Sequence, residues 1–376
     1  MPNAAPLSAP KRILALDGGG VRGVVTLPFL ERMESQLREE LGNSNLVLAD
    51  HFDLIGGTSV GSIVATMLAL GWPMEKVATT FKTWCPGIFN SPRGLGLVGA
   101  KFRVGALTRH LDATLGDMRL DSPHLKTMLA IVTKRLDTGS PWWIVMNNPN
   151  SRFWDGPNPE DKNHALRIAD LIRASTAAPT VFKPKLLPLA ANRPYGLFVD
   201  GGLSPFNNPS LALLMAVRLK GHGLEWPLGA GQLQLVSIGT GAWREPVYYG
   251  FWRRLFAAKF GVDALRGILN DAPAFSLVMM QWMSNPRLSW RIDSEIGDLA
   301  GEVLGVGDGP HTPLLKFQRY DLELEADKLA PRMGGKPPSA RRLNRLRALD
   351  NPSELETLYQ LAKMAAEDQV RVVDFI

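Results

Sequence analysis

Twice within its first seventy residues, the chain runs from a short apolar stretch through a glycine-rich turn into a stretch with helical spacing. Residues 12–16 lead into Asp17-Gly18-Gly19-Gly20, and residues 52–55 lead into Gly57-Thr58-Ser59-Val60-Gly61. After each turn, apolar residues recur every three or four positions, as they do on one face of a helix. Two such units in succession predict an open, mostly parallel sheet with helices on its faces.

The same strand-rich pattern extends to about residue 245 and then fades. Further strands are predicted over residues 127–132, 142–146, 195–199 and 232–238, and helices over residues 166–174 and 209–219. A chain of 376 residues can form one large domain or two ordinary ones. We predict an α/β core over residues 11–245 and a C-terminal helical extension over residues 246–376 that packs on this core. A lid, a regulatory region and a membrane contact are all open roles for the extension.

Ser59 lies in a Gly-x-Ser-x-Gly motif between a predicted strand and a predicted helix. Hydrolases place a nucleophilic serine in this tight turn, where the flanking glycines (here Gly57 and Gly61) let neighbouring backbone pass closely. A serine hydroxyl is a poor nucleophile until a base takes its proton. The context predicts that Ser59 is a catalytic nucleophile, although a helix entry built from small residues would explain the motif alone.

Asp200 is the strongest candidate for that base. It follows the apolar run Leu197-Phe198-Val199 and precedes Gly201-Gly202, so we expect it at the end of a strand, at the same edge of the sheet as Ser59. No histidine lies in a recognisable catalytic string, and each is predicted to be a surface or core residue: His51, His110, His124, His164, His222 and His311. A carboxylate base predicts a pH profile without a limb near the value of about 6.5 for free histidine.

The glycine turn after residue 16 is suited to stabilising negative charge. Backbone N–H groups of Gly18, Gly19 and Gly20 can converge on the oxyanion of a tetrahedral intermediate, and the positive end of the following helix adds to that field. Arg22 either positions this loop or meets an anionic substrate. The run lacks the Lys-[Ser/Thr] ending of a nucleoside-triphosphate loop, and it does not complete a dinucleotide fingerprint. We therefore predict an oxyanion hole.

Basic charge is concentrated near the C-terminus, although the net charge is only +6. Residues 331–349 include no acidic residue and six basic ones: Arg332, Lys336, Arg341, Arg342, Arg345 and Arg347. The stretch is either a solvated loop and helix or a contact for an anionic partner, such as a lipid surface or a phosphorylated ligand. It has no interleaved aromatic residues that would stack bases, so we do not expect nucleic acid as a partner.

The cysteine content and the lengths of the apolar runs indicate in which cellular compartment to expect the protein. Cys85 is the single cysteine, which excludes an intrachain disulfide and a cysteine-based metal site. No apolar run approaches the ~20 residues that span a bilayer. We expect a cytoplasmic protein, with peripheral attachment to the inner membrane surface as an open extension. The aromatic and basic residues between Tyr248 and Phe260 are typical of an interfacial helix, although they would also fit a helix packed on the sheet.

Together these strings resemble the patatin-like phospholipase family. Residues 17–23, which end at Gly23, match its glycine-rich oxyanion loop, residues 57–61 its nucleophile elbow, and residues 200–202 its Asp-Gly-Gly/Ala motif. Residues 173–180 and 236–241 look like the family's segments on either side of the aspartate strand. The resemblance covers residues 11–242, with the motifs in the family's order and spacing.

The resemblance implies a three-layer α/β/α sandwich and a lipid acyl hydrolase with a Ser59–Asp200 dyad that uses no histidine. It also implies a phospholipid substrate at a membrane surface and no metal or organic cofactor. Bacterial relatives include phospholipases switched on by cyclic-nucleotide second messengers, so a cyclic-nucleotide effector bound by the C-terminal third is a further hypothesis. These motifs leave open the acyl position, the head group and the oligomeric state.

Two other functions remain open at this point. An α/β-hydrolase with a Ser-His-Asp triad would need a histidine after the acid, and only His222 and His311 qualify. Such a fold usually has several strands before its nucleophile, whereas Ser59 follows only two. A lipid- or nucleotide-sensing module with a vestigial site is the third hypothesis, and the intact serine, aspartate and glycine loop argue against it.

Overall fold

The computed structural model describes residues 9–89, 102, 104–140, 143–156, 162–179, 181–188, 195–244, 271, 273–305 and 311–376. Within these residues, one sheet contains the strands β1 (Lys11–Leu16), β2 (Leu54–Thr58), β3 (Met128–Arg135), β4 (Trp143–Met146), β5 (Lys185–Leu187), β6 (Gly196–Asp200), β7 (Leu233–Ile238) and β8 (Lys316–Tyr320). The helices are α1 (Thr26–Glu40), α2 (Leu48–His51), α3 (Val60–Ala69), α4 (Met74–Phe89), α5 (Gly105–Leu115), α6 (Ile168–Ser175), α7 (Ser210–Arg218), α8 (Ala326–Leu329), α9 (Ala340–Arg347) and α10 (Leu355–Gln369). Residues 273–282 are also helical.

The strand order of the sheet is β5-β6-β3-β2-β1-β7-β8, with β4 also paired to β3. Strands β1, β2, β3, β7 and β8 are parallel, whereas β4 and β6 run antiparallel to β3. The chain moves outward from β1 through β2 to β3, and later resumes on the other side of β1 with β7. Connections that diverge on either side of a strand leave a crevice at its carboxyl end, where α/β proteins bind ligands. In this sheet that crevice lies at the end of β1.

Both faces of the sheet are covered by helices. In β1, Leu14 and Leu16 belong to one apolar cluster with α1, α3, α4 and α6, whereas Ile13 and Ala15 belong to a second cluster with α7 and residues 277–283. This alternation places successive side chains of a parallel strand in two separate cores. The result is a three-layer α/β/α sandwich, which confirms the predicted fold class. None of the helices in the described ranges is long and apolar enough to cross a membrane.

The C-terminal region contributes to the sheet as well as to the helical layers. Strand β8 pairs in parallel with β7, and α10 packs against α1. The region that the sequence predicts as a helical extension therefore also contains a strand. Local pattern does not reveal β8 because three of its five residues are polar: Lys316, Gln318 and Arg319. The predicted boundary near residue 245 and the aromatic segment 248–260 lie outside the described residues.

Candidate active site

Ser59 occupies the sharp turn between β2 and α3, with φ 53° and ψ −124°. A positive φ is strained for a residue with a side chain and persists only where the surroundings fix it. Here the Ser59 N–H donates to the hydroxyl of Ser175 at 2.8 Å, and the Ser62 hydroxyl donates to the Ser59 carbonyl oxygen at 2.6 Å. Both backbone groups of the strained residue are therefore anchored.

The glycines on either side of this serine are required by two close backbone approaches. A Cβ on Gly57 would lie 2.3 Å from the backbone of Gly61, and a Cβ on Gly61 would lie 2.3 Å from the carbonyl oxygen of Leu16. The first contact closes β2 onto α3, and the second packs α3 onto the end of β1. The Gly-x-Ser-x-Gly spacing thus follows from the geometry of the turn.

Ser59 and Asp200 are in direct contact. The Ser59 hydroxyl donates to Asp200 Oδ2 at 2.6 Å, and the Gly202 N–H donates to Asp200 Oδ1 at 2.7 Å. In the register of the sheet, Thr58 pairs with Val132 and Asp200 pairs with Thr133, so Ser59 and Asp200 flank β3 at one level. The sequence predicts this proximity, but on the premise that both residues follow parallel strands that end at the same edge of the sheet. Strand β6 is instead antiparallel, and it reaches this edge because it pairs only with the last residues of β3.

Burial raises the pKa of Asp200 to about 6, against the hydrogen bonds from Ser59 and Gly202 and the charge of Arg173, which lower it. Burial also lowers the pKa of Arg173 to about 10. At pH 7 the Asp200 carboxylate remains mostly ionised, and it is more basic than an exposed aspartate. The sequence-based expectation of a pH profile without a limb near 6.5 therefore needs correction, because this carboxylate itself titrates close to that value.

The glycine loop leaves β1 at the crevice and lies against Ser59. The Gly18 N–H donates to the carbonyl oxygen of Asn207 at 3.0 Å, so this amide is already bonded within the protein. The N–H groups of Gly19 and Gly20 have no hydrogen-bond acceptor among the described residues. Of the three predicted oxyanion donors, these two are therefore available to a ligand.

Residues distant in sequence hold this loop. The Thr240 hydroxyl donates to the Gly18 carbonyl oxygen at 2.8 Å, and the Val21 N–H donates to the carbonyl oxygen of Leu349 at 2.8 Å. Gly23 packs against Val60, beside the nucleophile turn. Leu349 acts through its backbone carbonyl, and Asn207 acts through its backbone carbonyl and through its side-chain amide, which donates to the Gly18 carbonyl oxygen at 3.4 Å. Sequence reasoning missed both residues, because no local residue pattern reveals contacts of this kind.

A buried ion cluster lies beneath the loop. Arg319 Nη2 donates to Asp17 Oδ2 and to Asp321 Oδ2, each at 2.7 Å, and Asp321 Oδ1 accepts the Gly241 N–H at 2.8 Å. Burial alone would lower the pKa of Arg319, but the two carboxylates raise it, so the guanidinium stays charged. Sequence reasoning also missed this cluster. The charged pair Arg319 and Asp321, two positions apart between the apolar residues Phe317 and Leu322, is the signal that could have indicated it.

A cavity of about 570 Å³ opens beside Ser59 and Asp200. Its inner wall is apolar and buried, and includes Phe81, Trp84, Cys85, Ile88, Leu107 and Phe182. The rest of its lining includes the glycine loop, Arg22, Trp243, Arg347 and Leu349, of which Leu349 is exposed. A slot with an apolar inner wall and polar groups at one end suits an acyl chain with its ester at the polar end.

The histidines lie elsewhere. All six are among the described residues, and none lines this cavity. His51 contacts the carbonyl oxygen of Phe375 at 2.6 Å, and burial lowers its pKa to about 4. His110 stacks on Trp84, with ring centres 5.0 Å apart. Within the described part of the chain, no group of three His, Cys, Asp or Glu side chains is arranged to hold a metal ion.

The chain is similar to a known protein family and to several known proteins. Residues 14–214 match the family model described as patatin-like phospholipase. The chain is 30% identical over 275 residues to Patatin-like protein 1 of Arabidopsis thaliana, a match that covers 66% of this chain and 63% of that protein. It is 31% identical over 242 residues to the cGAMP-activated phospholipase of Vibrio cholerae, which covers 61% of this chain and 64% of that protein. The chain thus spans less than two thirds of either relative.

Among solved structures, human GIVD cytosolic phospholipase A2 aligns with 97% of this chain and 59% of its own length, at 12% identity and a TM-score of 0.47. The family model matches more than half of the chain and includes both the glycine loop and the Ser59 and Asp200 motifs. The chain belongs to the patatin-like phospholipase family.

Proposed function

We propose that this protein is a lipid acyl hydrolase of the phospholipase A type, which cleaves fatty-acyl esters of phospholipids at a membrane surface. The observation that carries the proposal is the 2.6 Å hydrogen bond from the Ser59 hydroxyl to Asp200, in a strained turn that faces an apolar cavity. Ser59 is the nucleophile and Asp200 the proton acceptor. Strain at a residue with a reactive side chain is typical of functional sites.

The first half-reaction forms an acyl-enzyme. As Ser59 Oγ attacks the ester carbonyl carbon, its proton passes to Asp200 Oδ2, and the N–H groups of Gly19 and Gly20 donate to the oxyanion. Helix α3 begins directly after Ser59, so the positive end of its dipole faces the same charge. When the tetrahedral intermediate collapses, the proton moves from Asp200 to the departing alcohol oxygen.

The second half-reaction releases the fatty acid. Water attacks the acyl-enzyme while Asp200 accepts its proton, and Asp200 then returns that proton to Ser59 Oγ as the acid leaves. A base with a pKa of about 6 suits both directions of transfer at neutral pH, because it is ionised at rest and still accepts a proton. The Gly202 N–H holds the carboxylate in place throughout.

The dyad is favoured over a triad because the aspartate itself contacts the serine hydroxyl and no histidine lines the cavity. A vestigial sensor is disfavoured because the nucleophile, base and two free loop amides lie together at the opening of an acyl-sized cavity. For such a site we also propose a cytoplasmic enzyme that works peripherally on the membrane.

An effector forms a separate part of the proposal. One relative is named for its activation by cGAMP, and we extend the hypothesis of a cyclic-dinucleotide effector to this chain. Calorimetry with a panel of cyclic dinucleotides, run together with lipid hydrolysis, tests it. Absence of heat together with unchanged hydrolysis would remove the effector and leave the hydrolase proposal standing.

Product analysis tests the hydrolase proposal. Mixed phospholipid vesicles are incubated with the wild-type protein, and mass spectrometry should detect lysophospholipid and free fatty acid, with fatty acid at least equal in amount to lysophospholipid. Ser59→Ala and Asp200→Asn should each abolish both products, whereas Ser44→Ala, which changes an exposed serine before α2, should leave them unchanged. Products that persist in Ser59→Ala would refute the proposed nucleophile.

A further inference from the structure

Two arginines contact one indole ring in the lining of the active-site cavity. The guanidinium carbon of Arg22 lies 4.5 Å from the centre of the Trp243 ring, and that of Arg347 lies 5.3 Å from it. All three side chains line the cavity that contains Ser59 and the glycine loop. Two positive charges are therefore held together in the lining of the site.

The hydrogen bonds of Arg22 are incomplete. The Arg22 residue is 7% exposed, its Nη1 donates to the Gly241 carbonyl oxygen at 3.2 Å, and its buried Nε has no acceptor among the described residues. The two carboxylates whose charges act on Arg22, Asp17 and Asp321, are both bonded to Arg319. A buried cation with an unsatisfied donor is costly unless an anion completes its contacts. The cavity is where such an anion would enter.

The orientation of a bound ester follows from the positions of the apolar wall and the glycine loop in the cavity. The acyl chain of an ester would lie against the apolar wall around Phe81, and its carbonyl oxygen would lie at Gly19 and Gly20. The alcohol half must then extend toward Trp243. In a glycerophospholipid that half carries a phosphate, which is separated from the ester only by glycerol carbons.

We propose that Arg22, Trp243 and Arg347 form a subsite for the phosphate of the head group, and that Arg347 determines specificity for phosphate-bearing substrates. This inference rests on the proposed function. Guanidinium groups bind phosphate through paired, charge-assisted hydrogen bonds, and stacking on an indole fixes their planes. The subsite assigns a role to one arginine of the basic stretch in residues 331–349.

Arg347 reaches the site from outside the residues matched to the family model, 14–214. It is the last residue of α9, and its Nε donates to the carbonyl oxygen of Leu324 at 2.9 Å. Two residues later, the Leu349 carbonyl oxygen accepts the Val21 N–H of the glycine loop. The C-terminal region thus holds this arginine in a fixed position relative to the loop.

A matched pair of substrates tests the subsite. 1-Palmitoyl-lysophosphatidylcholine and 1-palmitoylglycerol share the acyl chain and glycerol and differ in the phosphocholine group, and both are presented in the same neutral-detergent micelles. In Arg347→Gln, the ratio of kcat/KM for the lysophospholipid to that for the glyceride should fall about tenfold, the effect of losing a charge-assisted contact. In Arg341→Gln, which removes an exposed charge from the same helix, the ratio should not change.

A second measurement uses only the wild-type protein and so does not depend on how the variants fold. sn-Glycero-3-phosphocholine should inhibit hydrolysis of 1-palmitoylglycerol competitively, and glycerol should not. An unchanged ratio in Arg347→Gln, an equal fall in Arg341→Gln, or no inhibition by glycerophosphocholine would each overturn the subsite alone. Absence of any Ser59-dependent hydrolysis of either substrate would overturn the proposed function, and the subsite with it.

Discussion

The buried environment of the Asp200 carboxyl group favours its neutral form over its ionised form. Its folded-state pKa of about 6 lies above the value of 3.8 for an exposed aspartate. The stabilising contribution of its proton is complete below pH 3.8 and is lost as the pH rises through 6. At pH 7 the ionised side chain is therefore a cost to folding, which the proposed reaction requires.

This cost predicts that the inactive variant is the more stable protein. Asp200→Asn should raise the free energy of unfolding at pH 7 by about 1 to 3 kcal/mol, since one pKa unit corresponds to about 1.4 kcal/mol. Loss of the attraction to Arg173 offsets part of the gain. Urea denaturation of wild type and variant at pH 7 and at pH 4 measures the effect, which should be smaller at pH 4. A variant that is less stable at pH 7 would contradict the assigned cost.

The same carboxylate predicts the pH dependence of hydrolysis. kcat/KM should be highest above pH 6 and should fall as the pH drops through about 6, because protonated Asp200 cannot accept the Ser59 proton. A histidine base would also give a limb near this pH, so the pH of the limb alone does not distinguish an aspartate base from a histidine base. Carboxylate ionisation has little enthalpy, unlike that of imidazole, and the limb should stay in place between cold and warm assays. A limb that moves with temperature, and disappears when one histidine is substituted, would contradict the dyad.

Helix α4 forms much of the apolar wall of the cavity. Ile88 lies on its last turn and faces the acyl space, together with Phe81 and Cys85. Ile88→Trp should shorten this space, so that kcat/KM shifts from long to short acyl chains across p-nitrophenyl esters from butyrate to palmitate. Thr83→Trp adds the same bulk to an exposed position of the helix and is the control. An unchanged chain-length profile in Ile88→Trp would show that acyl chains bind elsewhere.

The sequence predicts the elements of the site better than their relative direction. The turn at Ser59 and helix α3 are predicted at the right place because glycine spacing and apolar periodicity are local signals. Strand β2 is predicted over residues 52–55 but observed over Leu54–Thr58, so its bounds are wrong by two or three residues. The antiparallel direction of β6 is not predicted, because the alternation of apolar residues along a strand is the same in either direction. The hydrogen bond of the Gly18 amide is also not predicted, because its acceptor is the backbone carbonyl oxygen of Asn207, which lies 189 positions later in the sequence.

At the scale of the whole molecule, the C-terminal region holds the glycine loop through two contacts. Arg319 of β8 bonds Asp17 across 302 positions of sequence, and Leu349 bonds Val21. The family resemblance ends near residue 242, and composition alone predicts only a helical extension beyond it. Contacts of such sequence separation carry no local signature, so this part of the site emerges only from the fold.

Removal of Arg319 should therefore affect stability more than any exposed arginine does. Arg319→Met leaves the buried carboxylates of Asp17 and Asp321 without a counterion and should lower the free energy of unfolding by about 3 to 5 kcal/mol at pH 7. Arg341→Met, at an exposed position, should change it by less than about 0.5 kcal/mol. Urea denaturation compares the two. Equal stability of both variants would show that the buried cluster does not hold the loop.

Covalent trapping of the nucleophile tests the Ser59–Asp200 pair most directly. An alkyl fluorophosphonate should add once to the wild-type protein, and peptide mass spectrometry should locate the adduct on Ser59. Asp200→Asn should slow the labelling by about a hundredfold or more, as expected for loss of a general base, and Ser59→Ala should abolish it. An adduct on another residue, or labelling of Asp200→Asn at the wild-type rate, would contradict the proposed dyad.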